Sequence, residues 1–180
     1  MPVPALYGPE KITAERKTMC CSFHFHGKSI RPTDRATVIL PGKSSAQLQF
    51  GLRLDSGRLV INARCETALE KPLFRNLLLR SRVIIPADSF DEWDRRKVKY
   101  AFARRDGSPL LFAGIRSGAS FVLLTTAANA SMAPVHDRMP LVLEEAEGWL
   151  DDGDAFLSLL GTRPAELARA AAAPRQGWLL

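Results

Sequence analysis

Residues 110–126 read LLFAGIRSGASFVLLTT, two apolar runs, Leu110–Ile115 and Phe121–Thr126, parted at Ser117-Gly118. Each run is short, rich in β-branched and aromatic residues, and bounded by turn formers, which is the pattern of a strand with little exposed surface. Working outward, the same pattern recurs at Ala36–Leu40, Gln47–Leu54, Arg58–Arg64, Arg82–Pro86, Val98–Arg104 and Met139–Leu143. Breaks fall at Pro41-Gly42, Asp55-Ser56-Gly57 and Asp106-Gly107. Phe23 and Phe25 alternate with His24 and His26, a further strand with one buried face. Helical patterning is confined to Thr67–Leu79, Glu144–Leu150, Asp154–Leu160 and Pro164–Ala171, with Pro164 fitting a first helical turn. Many strands with helices between and after them predict an α+β domain around a strongly curved sheet.

The chain of 180 residues is long enough to bury one core, and 46% hydrophobic with 24% charged residues is ordinary globular composition. No apolar run approaches the roughly 18 residues of a membrane helix. Three cysteines without a secretory signal read as reduced cytoplasmic thiols. The charge is uneven. Glu144 to Asp154 holds six acids and no base, leaving +12 on the rest of the chain against +6 overall. Lysines and arginines crowd Arg75 to Arg105, with Arg95, Arg96 and Lys97 in a row. Such a body suits a polyanionic partner, and equally a soluble basic protein with none.

Four segments carry candidate chemistry. In Arg58–Thr67, Asn62 and Arg64 share one strand face, with Glu66 next along, and Ala63 takes the other. That pair is either a donor platform for phosphate or a solvated face. Glu92, in Ser89–Trp93, has aromatic neighbours that favour acid–base use, although an ordinary surface glutamate fits too. His136 and Arg138, in a loop before an apolar strand, place an imidazole beside a permanent cation, in a functional or a structural role. Cys20, Cys21, His24 and His26 lack the spacing of a zinc site, so no metal is expected.

Seven segments in order resemble the SOS-response-associated peptidase (SRAP) family, whose members crosslink themselves to abasic sites in single-stranded DNA. They are MC at Met19-Cys20, RPTDRATVIL at Arg31–Leu40, FGL at Phe50–Leu52, INARCETALEKPLFR at Ile61–Arg75, VIIPADSFDEW at Val83–Trp93, LFAGI at Leu111–Ile115, and LLTTAANASMAPVHDRMPLVL at Leu123–Leu143. The resemblance runs from Cys20 to about Leu160 and implies a single domain over residues 19–180. Its fold would be a mostly antiparallel, barrel-like sheet with flanking helices. Residues 1–18 are then a disordered leader or a start placed too early, with translation beginning at Met19.

The roles follow residue by residue. The resemblance makes Cys20 the nucleophile, Asn62, Glu92 and His136 its catalytic companions, and Arg64, Arg138 and Phe50 the DNA contacts. It implies no cofactor, a single-stranded DNA partner carrying abasic sites, and a cytoplasmic, nucleoid-associated monomer away from membranes. The crosslinking activity would carry lyase character; a thiol peptidase that frees its own N-terminus, a non-covalent single-stranded DNA-binding module and an inactive member of the family remain alternatives. Two departures stand out: the family's Cys-Gly-Arg opening is Cys20-Cys21-Ser22 here, and an alanine-rich helix is expected in place of its closing strand.

Overall fold

The computed structural model describes residues 22–151 and 153–171. Fifteen strands and three α-helices follow one another along them. The strands are β1 (Ser22–Phe25), β2 (Lys28–Ile30), β3 (Arg35–Ile39), β4 (Ser45–Phe50), β5 (Leu52–Arg53), β6 (Leu59–Val60) and β7 (Asn62–Arg64). After the helices α1 (Cys65–Ala68) and α2 (Pro72–Arg80) come β8 (Arg82–Ala87), β9 (Ser89–Trp93), β10 (Lys99–Ala103), β11 (Leu110–Ser117) and β12 (Ser120–Ala127). The chain then forms β13 (Arg138–Pro140), β14 (Val142–Leu143), α3 (Ala155–Leu160) and β15 (Ala168–Ala171).

Five strands close on themselves. β12 pairs with β4, β4 with β3, β3 with β8, β8 with β11, and β11 again with β12. Alternation then sends one set of side chains inward and the other outward. Ala36, Val38, Leu48, Phe50, Val83, Ile85, Leu110, Phe112, Phe121 and Leu123 fill the inside. Ile84, Ala113, Ile115, Val122 and Leu124 face out, under Phe74 and Leu78 of α2, Trp149 and Phe156. A second sheet, ordered β15-β10-β9-β1-β2, adds Phe23, Phe90 and Phe102 to the inner cluster. All ladders are antiparallel except those of β12 with β4 and β7. The α+β fold with a curved, barrel-like sheet is therefore present. Among the described residues no helix is long and apolar enough to cross a membrane.

Three helical expectations change. The single helix over Thr67–Leu79 is two, because a proline bars its predecessor from helical geometry: Lys71 is extended, and Pro72 starts α2. Glu144–Leu150 is a series of turns. Gly148 takes a positive φ of 74°, which frees Trp149 to bury its ring and donate from Nε1 to the Val83 carbonyl at 2.9 Å. Pro164–Ala171 is an extended segment ending in β15, which adds to the edge of β10 with Ala170 opposite Ala101. Alanine's helix preference yields here to an open ladder edge and to Leu167, buried in the inner cluster. A closing strand stands where a helix was expected. β2 and β9 are strands that local patterning did not single out.

Candidate functional site

β9 carries two acids on opposite faces. Phe90 packs inward against Phe102 and Phe112, so Glu92, two residues on, points to the same side and is only 2% exposed. Its Oε1 accepts the Trp93 backbone N–H at 3.0 Å. Asp91 faces the other way and is also buried. Its Oδ2 lies 2.7 Å from both His24 Nε2 and Lys99 Nζ, and accepts from Ser22 Oγ at 3.2 Å. Burial pushes the Asp91 carboxyl up, but hydrogen bonds and charge from Lys99 and His24 outweigh it and hold the group below the usual carboxylate range. Asp91 thus ties β9 to both neighbours, to β1 through Ser22 and His24 and to β10 through Lys99.

The loop after β12 presents His136. Asn129 shapes it: the buried amide donates to the Pro164 and Ala165 carbonyls, and its Oδ1 accepts from Ser131 Oγ and the Met132 N–H. His136 is buried and follows Val135, a residue of the inner cluster. Asp137 Oδ1 and the Arg138 carbonyl lie 3.1 and 3.3 Å from its Nδ1, but the Arg138 N–H at 3.0 Å can only donate. Nδ1 thus faces two oxygens to which a ring N–H could donate and one N–H from which a bare nitrogen could accept, so its role depends on which nitrogen carries the proton.

Arg138 grips Glu66 with both arms, Nη1 to Oε1 at 2.6 Å and Nη2 to Oε2 at 2.9 Å, and Nη2 also donates to the Thr125 carbonyl. This pairing keeps the Glu66 carboxyl below its ordinary range, with Arg64 adding to the effect. β7 lies parallel to β12, Arg64 beside Thr125 and Asn62 beside Leu123. Ala63 faces the outer cluster, so Asn62 and Arg64 turn to the opposite face, as their alternation predicts. Asn62 Oδ1 is buried with no hydrogen-bond partner among the described residues. Arg64 is exposed. Cys65, next to it, is buried, and desolvation pushes its thiol up to about 12, so it is no nucleophile at neutral pH.

Glu92 and His136 are both buried: Glu92 shares a strand face with Phe90, His136 follows Val135, and Phe90 and Val135 belong to the inner apolar cluster. Asn62 follows Ile61, which packs against that cluster. Phe50 does not join them at the surface. Its ring is 0% exposed, stacked on Phe121 at 5.2 Å and edge-on to Phe23, so it offers no stacking platform to a base. Cys20 lies outside the described residues, as does the expected leader. The Asp91 cluster and the Arg138–Glu66 clasp went unread in sequence. Alternation from Asn62 through Arg64 to Glu66 was the one available signal.

A family model described as SOS response associated peptidase (SRAP) matches residues 26–174. The chain belongs to the SRAP family. Among its SRAP relatives, the abasic site processing protein YoqW of Bacillus subtilis is 37% identical over 123 residues, 58% of this chain and 55% of the relative. The abasic site processing protein YedK of Escherichia coli is 32% identical over 128 residues, 64% of this chain and 55% of the relative. The chain spans about half the length of these curated relatives. A crystal structure of a Bordetella bronchiseptica protein matches at TM-score 0.70 and 26% identity, over 80% of this chain and 86% of that one. A Bacteroides thetaiotaomicron structure at TM-score 0.71 and 22% identity, covering 80% and 77%, shares the fold.

Proposed function

We propose that this SRAP domain processes abasic sites in single-stranded DNA by forming a thiazolidine through Cys20 as the first residue of the mature chain. The observation that carries the reading is the pair Glu92 and His136, both buried acid–base groups, 2% and 4% exposed. Ser22 pairs with Asp91, the neighbour of Glu92, and two peptide links from Ser22 to Cys20 span at most about 7.6 Å. Relatives named for abasic site processing support the choice of substrate.

The ring-opened lesion is an aldehyde. A free α-amine adds to it and expels water as an imine, and the thiolate of the same residue then adds to the imine carbon and closes a five-membered ring. Aldehyde plus aminothiol gives thiazolidine plus water. In this reading Glu92 takes and returns the protons of carbinolamine collapse and ring closure. His136 donates a proton to the sugar oxygen. Asn62 and Arg64 hold the lesion and its flanking phosphate, and Arg138 reaches DNA only by sharing or surrendering Glu66. The imine also gives a path to strand cleavage, the source of any lyase activity. The family name favours one second reading, a thiol peptidase that releases its own leader, Met19 included, to expose Cys20.

Wild-type protein beginning at Cys20, incubated with abasic single-stranded DNA, gives a covalent band on a denaturing gel. Cys20→Ala gives none, and Glu92→Gln slows its appearance by about 100-fold, the scale of one acid–base group. Reversible binding without a covalent band defeats the proposal.

A further inference from the structure

Between β9 and β10 the chain turns through Asp94-Arg95-Arg96-Lys97-Val98, and Arg95, Arg96 and Lys97 are all exposed. The turn is built to hold its shape. Asp94 Oδ1 accepts the backbone N–H groups of Arg96 at 2.8 Å and Val98 at 2.9 Å, and the Asp94 N–H donates to the Val98 carbonyl at 2.9 Å. Lys97 sits at φ 64°, and its N–H donates to the Asp94 carbonyl at 3.1 Å. The base is pinned as well: Lys99 reaches buried Asp91 and lies 5.5 Å from the Trp93 ring centre. Asp94 is largely spent on the backbone, with its nearest approach to Arg96 Nε at 3.7 Å and the Arg96 side chain 82% exposed. Three cations therefore project from a fixed tip with one acid in the turn. Arg95 follows Glu92 by three residues, at most about 11 Å of chain.

We propose that this tip is a phosphate-backbone contact, gripping the strand on one side of the lesion while Glu92 acts beside it. Its partner is single-stranded nucleic acid, a choice that rests on the function proposed above. Preset spacing of the charges lowers the ordering cost that three free side chains would carry.

The test uses undamaged single-stranded DNA, so it is independent of crosslinking. Wild type binds it, and log affinity falls with log salt. Replacing Arg95, Arg96 and Lys97 together by Gln flattens that slope by about 0.7 per lost contact, about 2 in all. Melting temperature stays unchanged. Covalent capture of abasic DNA proceeds at the wild-type rate once DNA saturates. Asp94→Ala keeps the three charges, loosens the turn and weakens binding. A Lys28→Gln/Arg35→Gln pair, on exposed cations beyond the far end of β1, leaves the slope alone. The inference is overturned if wild type does not bind, if the triple variant keeps the wild-type slope, if the control pair flattens it equally, or if Asp94→Ala binds undiminished. Absence of a covalent band with abasic DNA defeats the crosslinking reading alone and leaves the salt slope to decide this one.

Discussion

Asp91 holds a carboxylate in a place where only its partners make one tolerable. Its folded pKa is lowered, so its stabilising contribution is present above the ordinary carboxylate value and fades as pH falls through the lower, folded one. Asp91→Asn should cost on the order of 2 kcal/mol near neutrality, where charged hydrogen bonds are lost, and progressively less below about pH 4. Thermal melts of both proteins from pH 7 down to about pH 3 check this, and a gap that ignores pH contradicts it. Local sequence marked Glu92 as a candidate through its aromatic neighbours, and marked His136 through its loop. It could not mark Asp91, whose character comes from His24 and Lys99, brought in by two separate ladders. Phe50 failed for a related reason: an aromatic at a strand end reads alike whether it faces a base or a core.

At the scale of elements, β11 is tightest at Gly114. A methyl there would run into Ile85 Cδ1 and come within 3.0 Å of the Val122 carbonyl oxygen. Gly114→Ala should therefore cost about 1–3 kcal/mol, as overpacking does. Ile85→Val, which removes the clashing methyl, should recover part of that loss when the two are combined. Urea unfolding of the single and double variants measures the coupling, and simple additivity would sink the packing argument. The strands that alternate or carry β-branched runs were legible, from Arg35–Ile39 to Ser120–Ala127. The acidic stretch and the alanine run were not. Helix preference is a small term, and a buried tryptophan in one case and a free ladder edge in the other outweighed it.

For the molecule as a whole, curvature of the sheet was foreseeable from many short strands, whereas its barrel-like closure was foreseeable only through the family resemblance. The ring needs β4 and β12 to lie parallel, and no local pattern marks a pairing between segments so far apart. The chemistry sets a whole-chain condition too. With residues 1–18 attached, the Cys20 nitrogen is an amide and cannot form an imine. Protein retaining those residues should melt within about 2 °C of the shorter form, since both apolar clusters are built from residues 22–171. It should give no covalent band with abasic DNA; a band of equal intensity refutes the aminothiol requirement.

The same ring has a consequence for how the protein is made. Phe50 cannot stack on Phe121 until the ribosome has delivered every residue between them, which takes several seconds at about 5–20 residues per second. Through that interval β3 and β4 can form their hairpin and β8 can join it, but the inner face, Ala36, Val38, Leu48 and Phe50, stays open along the β4 edge until β12 arrives. The nascent chain therefore carries a sticky open surface before it carries a barrel. Chaperone capture during synthesis should centre on that hairpin and end as β12 emerges.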